Sequence, residues 1–123
     1  MIARYLLGLG FVIFGLNGFL HFIPQPPLPP GPVVDWMTLM TTTHYMTPVF
    51  ALEFLAGLLL LVNRYVPLAL TILAPILVNI VIFHVLLQPA GLPPGLVFVI
   101  LWFLVFYSVR SAFVGIFESR VTA

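Results

Sequence analysis

Long apolar runs dominate this chain, and short polar or proline-rich segments punctuate them. Four runs, about residues 5–23, 45–62, 66–87 and 95–113, approach the roughly 17–25 residues of helix that cross a bilayer. Strands of a membrane barrel would be about 10 residues long and would alternate apolar with polar positions. Stretches such as 58–62 and 76–82 show no such alternation. The pattern therefore predicts an all-α, integral membrane four-helix bundle in a single domain over residues 1–123, with no internal repeat. The second run is the shortest and carries Glu53, which leaves its ends the least defined.

Between the first two runs lies a segment, about 24–44, that holds six of the twelve prolines. Proline fixes φ and removes a backbone donor, so 25–32 is expected to be extended and stiff. Within 33–42, Val33, Trp36, Met37 and Met40 recur at helical spacing. This predicts a short amphipathic helix at the outer interface, with Trp36 at headgroup depth and Asp35 in water, serving as a flap over whatever the spans enclose. The first run is expected to stay in the mature chain, because His21-Phe22-Ile23-Pro24 follows it where a signal peptide would carry small residues.

Charge adds orientation. The 123 residues include four arginines, no lysine and three acids, with 63% apolar and 6% charged positions. An ordinary soluble domain would be about a quarter charged, and a nucleic-acid binder would need a basic face. No cysteine is present, so disulfides, thiol redox centres and thiolate-bound metals are excluded for this chain. Arg4 starts the first run, Arg64 lies between the second and third, and Arg110 and Arg120 end or follow the fourth. Segments 24–44 and 88–94 contain no Lys or Arg. The positive-inside rule then places both termini and the 63–65 turn in the cytoplasm. A bacterial inner membrane is the expected setting, with the proline-rich loop facing outward.

Polar residues inside such spans are costly unless partnered, so they are the informative ones. Asn17 and His21 lie near the outer end of the first span. At 1.5 Å per residue, Glu53 lies about 8–12 Å in from the outer end of the second, and Asn79 and His84 about 12 and 5 Å from that of the third. All five are expected in the outer half of the bilayer. Asn17 and His21 follow Gly10 and Phe14 on one stripe, and Glu53 shares a face with Ala56 and Gly57, small residues that admit a neighbouring helix. Pro75 is expected to kink the third span below Asn79. His84 lies about 140° around the helix from Asn79, so a shared cavity would need that kink.

Each residue has a plainer role available. Glu53 can bond Asn17 or Asn79 as interhelical glue, the asparagines commonly do so, and the histidines can sit among headgroups. His21, His84 and Glu53 are also the donors of a two-His, one-carboxylate metal set, although no tight motif such as HExxH is present. A haem between His21 and His84 has no further support.

Certain ordered segments resemble the DoxX-like family. They are Phe14-Gly15-Leu16-Asn17-Gly18-Phe19 with His21-Phe22-Ile23-Pro24, then Glu53-Phe54-Leu55-Ala56-Gly57, Asn63-Arg64-Tyr65-Val66-Pro67-Leu68, and Ala74-Pro75-Ile76-Leu77-Val78-Asn79-Ile80 followed by Phe83-His84. The resemblance runs over about residues 4–113. It implies a four-helix membrane bundle and a loose link to membrane oxidoreductases; related branches are assembly or trafficking factors. The expected function is an oxidoreductase-associated subunit whose outer-leaflet pocket binds a quinone or similar lipophilic molecule. In that expectation Glu53 handles the proton, and Asn17, His21, Asn79 and His84 contact the ligand. A metal or haem stands behind the quinone as cofactor. Electrons would come from a partner or bound cofactor, because the chain shows no redox centre. The expected partners are the lipid bilayer and other membrane subunits or further copies of the chain, with no nucleic acid. The alternative is a non-enzymatic assembly factor or adaptor in which Glu53 and the asparagines are glue and the Ala56/Gly57 face is a docking surface.

Overall fold

The computed structural model describes residues 1–24 and 27–122 and contains no strand among them. Five helices follow one another: α1 (Ile2–Leu20), α2 (Pro32–Thr42), α3 (Thr47–Leu61), α4 (Val66–Leu86) and α5 (Leu92–Ser108). Two 3₁₀ segments flank α5, Pro89–Gly91 before it and Arg110–Phe117 after it. Local chemistry explains most boundaries. Prolines open α2, α3, α4 and α5 in the first turn, where the missing N–H costs nothing. α1 stops at Leu20 because His21 turns left-handed at φ 52°, its N–H bonding the Asn17 carbonyl. The first span thus runs a few residues earlier than its apolar run suggested.

Helices α1, α3, α4 and α5 pack as an antiparallel up-down-up-down ring, each against its chain neighbours, with α5 closing onto α1. α1, α4 and α5 with its 3₁₀ lead-in are each long and apolar enough to cross a membrane. α3 has 15 residues, about 22 Å of helix at 1.5 Å per residue. It reaches spanning length only together with α2, from which it is bent by 85°. The expected second span is therefore a broken element, beside three unbroken helices of crossing length. Most of the outer surface is as apolar as the core. Ile2, Leu9, Val78, Ile82, Val97, Ile100 and Phe103 are all exposed. A water-soluble monomer rarely presents so continuous an apolar surface. This is a multi-pass integral membrane protein.

Glycine governs the tightest seam. A Cβ on Gly57 would lie 2.7 Å from the Gly8 carbonyl oxygen and 2.7 Å from the Val12 nitrogen. One on Gly15 would lie 2.7 Å from the Phe54 nitrogen. α1 and α3 therefore touch backbone to backbone, as small residues permit in membranes. At one end of this pair the Arg4 guanidinium donates to the carbonyls of Leu60 and Leu61. These lie in the last turn of α3, where the carbonyls point out of the helix end and favour a cation. Arg64 in the α3–α4 turn and Arg110 after α5 lie at the same end, as the antiparallel order requires.

Packing is uneven along the bundle. Leu7, Phe11, Ala56, Leu60, Ala69, Leu70 and Leu73 form its dry core. In α1, α3 and α4 every buried residue lies toward the arginine end, none beyond Gly15, Glu53 and Leu77 respectively. The opposite end opens. Few polar bonds cross between helices: besides Arg4, the Trp102 Nε1–H donates to the Leu70 carbonyl at 3.0 Å. Thr42, Thr71 and Asn79 instead bond carbonyls of their own helices, at Thr38, Pro67 and Pro75.

Replacing Gly57 with valine should force α1 and α3 apart and lower stability by about 1–3 kcal/mol or more, the usual scale for overpacking. Alanine at Gly115, which meets nothing within 4 Å, should leave the melting temperature unchanged. Thermal unfolding of both variants in one detergent measures the contrast.

Candidate functional site

The open end contains a cavity of about 510 Å³ roofed by α2. Asn17, Gly18 and His21 of α1 form one wall, and Thr47 and Phe50 of α3 another. The bend between α2 and α3 contributes His44 and Met46, and α2 itself contributes Trp36, Met37 and Met40 among others. A small residue makes room for this wall: a Cβ on Gly18 would strike the Phe50 ring at 2.1 Å. The roof is lightly attached. α2 meets the bundle through Trp36, whose ring centroid lies 4.6 Å from that of Phe83 on α4.

The five residues singled out from the sequence separate in the structure. Asn17 and His21 line the cavity together. The Asn17 carboxamide oxygen accepts the Ile23 N–H at 2.8 Å, folding the chain back over the end of α1. That leaves its N–H pair for the cavity. His21 is exposed at the left-handed cap of α1.

Glu53 does not line the cavity. It is only 6% exposed and is the last buried residue of α3 on the cavity side, one turn below Phe50. Its carboxyl makes no hydrogen bond to another described residue, so neither asparagine acts as its glue. Asn79 is exposed on the outside of α4, and its Nδ2 donates to the Pro75 carbonyl at 2.9 Å. α4 continues unbroken through Pro75.

His84 pins the link between α4 and α5. Its Nδ1 lies 3.3 Å from the Gln88 carbonyl oxygen, to which it donates. Glycine makes space for the ring: a Cβ on Gly91 would come within 2.6 Å of it, and Gly95 lies beneath its other edge. Among the described residues, no three His, Asp or Glu side chains come together in a metal-binding group.

The structure adds lining residues beyond those five. His44 sits in the left-handed bend at φ 55° and lines the cavity with Met46. Its placement depends on the α2–α3 bend, which no apolar pattern announces. Chemically, the cavity combines soft apolar walls (Trp36, Met37, Met40, Phe50) with a sparse polar set (Asn17, His21, His44 and the hydroxyls of Thr38, Thr41 and Thr47). Such a mixture suits a compact lipophilic molecule carrying a few polar atoms.

Asn17→Leu removes the acceptor for the Ile23 N–H, whereas Asn17→Asp keeps it. The leucine variant should lose about 0.5–1.5 kcal/mol in thermal unfolding, the net worth of one part-buried hydrogen bond, and the aspartate variant appreciably less. No protein-family model, curated protein or solved structure matches the chain, so its functional reading rests on this cavity.

Proposed function

We propose that the chain is a small membrane subunit that binds a lipophilic carbonyl compound of the quinone type in the cavity beneath α2. The cavity is the observation that carries this reading. Its volume of about 510 Å³ falls in the range of small-molecule sites, about 300–1,000 Å³. Trp36 and Phe50 offer ring faces, while Asn17, His21 and His44 supply N–H donors for carbonyl oxygens. Glu53 lies one turn below Phe50, at the edge of the buried core and outside the cavity lining, so in this reading it exchanges a proton with the ligand through an intervening water. Asn79 and His84 stand apart from the cavity and are not part of this ligand set. The motifs resembling DoxX-like proteins agree with a helical membrane bundle and with service to a partner oxidoreductase, which would supply the electrons.

In this reading α2 lies in the outer interface, and both termini face the cytoplasm of a bacterial inner membrane. The clustering of Arg4, Arg64 and Arg110 at one end supports that orientation. The absence of native cysteine makes the orientation easy to test. A membrane-impermeant maleimide added to intact cells should label Asp35→Cys, while Arg64→Cys should react only after permeabilisation. The reverse pattern would invert the topology.

The ligand is tested by mass spectrometry of the gently purified protein. One quinone or related lipophile per chain is expected, and Thr41→Trp, which fills the cavity, should displace it. An empty wild-type protein, or equal occupancy in the variant, would sink the proposal. Glu53→Gln should keep the ligand but slow proton-coupled turnover with the partner about 10²-fold or more, the usual contribution of a positioned acid–base group.

The adaptor reading has its own observation: a nearly nonpolar groove of about 370 Å³ between α4 and α5, lined by Leu77, Val81, Val99 and Trp102 among others. A transmembrane segment could lie there without leaving a polar group unpaired.

A further inference from the structure

The cavity concentrates one kind of chemistry beyond its apolar walls. The chain has four methionines and three histidines. Met1 lies at the opposite end of α1, and the other three, Met37, Met40 and Met46, all line this cavity. So do two of the three histidines, His21 and His44. Met37 and Met40 stand one turn apart on α2, and His44 and Met46 follow in the bend, where α2 turns by 85° into α3. His21 comes from across the cavity, at the end of α1. The thioether residues are half-buried, and the two imidazoles are at exposed positions on left-handed turns.

We propose that this cavity binds Cu(I), held by the thioether sulfurs of Met37, Met40 and Met46 and completed by an imidazole nitrogen of His44 or His21. Thioethers are soft donors that select monovalent copper, and imidazole accepts it as well. The donor set is entirely neutral, because no carboxylate and no thiolate lines the cavity. Calcium and magnesium require oxygen ligands with charge, and structural zinc usually takes thiolate, imidazole or carboxylate. A neutral, soft, partly desolvated site also penalises a monovalent ion less than a divalent one. Methionine is common in apolar packing because it is flexible. Packing alone, however, gives no reason for every internal methionine to gather beside two histidines in one cavity.

This inference does not rest on the lipophile reading, since thioether coordination needs no hydrogen-bond donor. The experiment therefore uses quinone-free protein in detergent. The wild type should withdraw one equivalent of Cu(I) from bicinchoninate under reducing conditions. The variant Met37→Leu/Met40→Leu/Met46→Leu keeps side-chain volume and should bind at least about tenfold more weakly; even ligand-supporting residues cost that much in metal sites. His21→Ala/His44→Ala should weaken binding to a similar extent. Failure of the wild type to compete, equal affinity in the leucine variant, or equally tight binding of Zn(II) would overturn the proposal.

A second measurement needs no variant to fold. In wild-type protein carrying ¹³C-methyl methionine, titration with Ag(I) as a Cu(I) surrogate should move three methionine signals and leave that of Met1 in place. A shift confined to Met1, or no shift, would refute the site.

Discussion

The backbone contact between α1 and α3 is the constraint on which the remaining structure depends. In lipid there is no hydrophobic force to drive apolar helices together, so association rests on close packing. Gly8 and Gly57 face each other with no room for a Cβ, and Gly15 repeats the arrangement against Phe54. With the two helices this close, Arg4 reaches the terminal carbonyls of α3, and α4 and α5 close the ring around Leu7, Leu60 and Leu70. The seam stays tight from Gly8 to Gly15. Beyond Gly15 and Glu53 it loosens, and there the chain leaves a cavity instead of a core.

Much of the architecture was legible because lipid imposes it. Apolar length identified α1, α4 and α5, and helical spacing from Val33 to Met40 identified α2 to within one residue at its start. Basic residues were expected at one side, and Arg4, Arg64 and Arg110 do share one end of the bundle. The break between α2 and α3 was less legible. Residues 45–62 read as one apolar run, but Pro48 in the first turn of α3 and the left-handed His44 shorten it. Gly57 stood out as a small residue on the face of Glu53, yet its partners, Gly8 and Val12, lie off the Gly10–Phe14–Asn17–His21 stripe. Only packing reveals which glycines meet.

The polar residues show the limit of reasoning from depth. Glu53, Asn79 and His84 were placed at similar heights, and height says nothing about azimuth. Asn79 faces away from the bundle and bonds its own helix, while His84 turns toward Gly91 and Gly95. Asn17 and His21 are brought together because they lie one turn apart on a helix whose end borders the cavity. His44 and the methionines join them through a bend, a feature of tertiary structure with no periodic trace. The part of the site carried by a single helix was therefore readable, and the part assembled across a turn was not.

The scarcity of polar bonds between helices bears on how the protein is built. Because Thr71 and Asn79 satisfy themselves on α4, and α1 carries no buried charge, each of these helices is already compatible with lipid before it meets a neighbour. α3 is different. It is short, it holds Glu53, and its last carbonyls look to Arg4. α1 and α4 are thus suited to lipid as separate segments, whereas α3 draws on α1 for its closest packing and for the cation at its end.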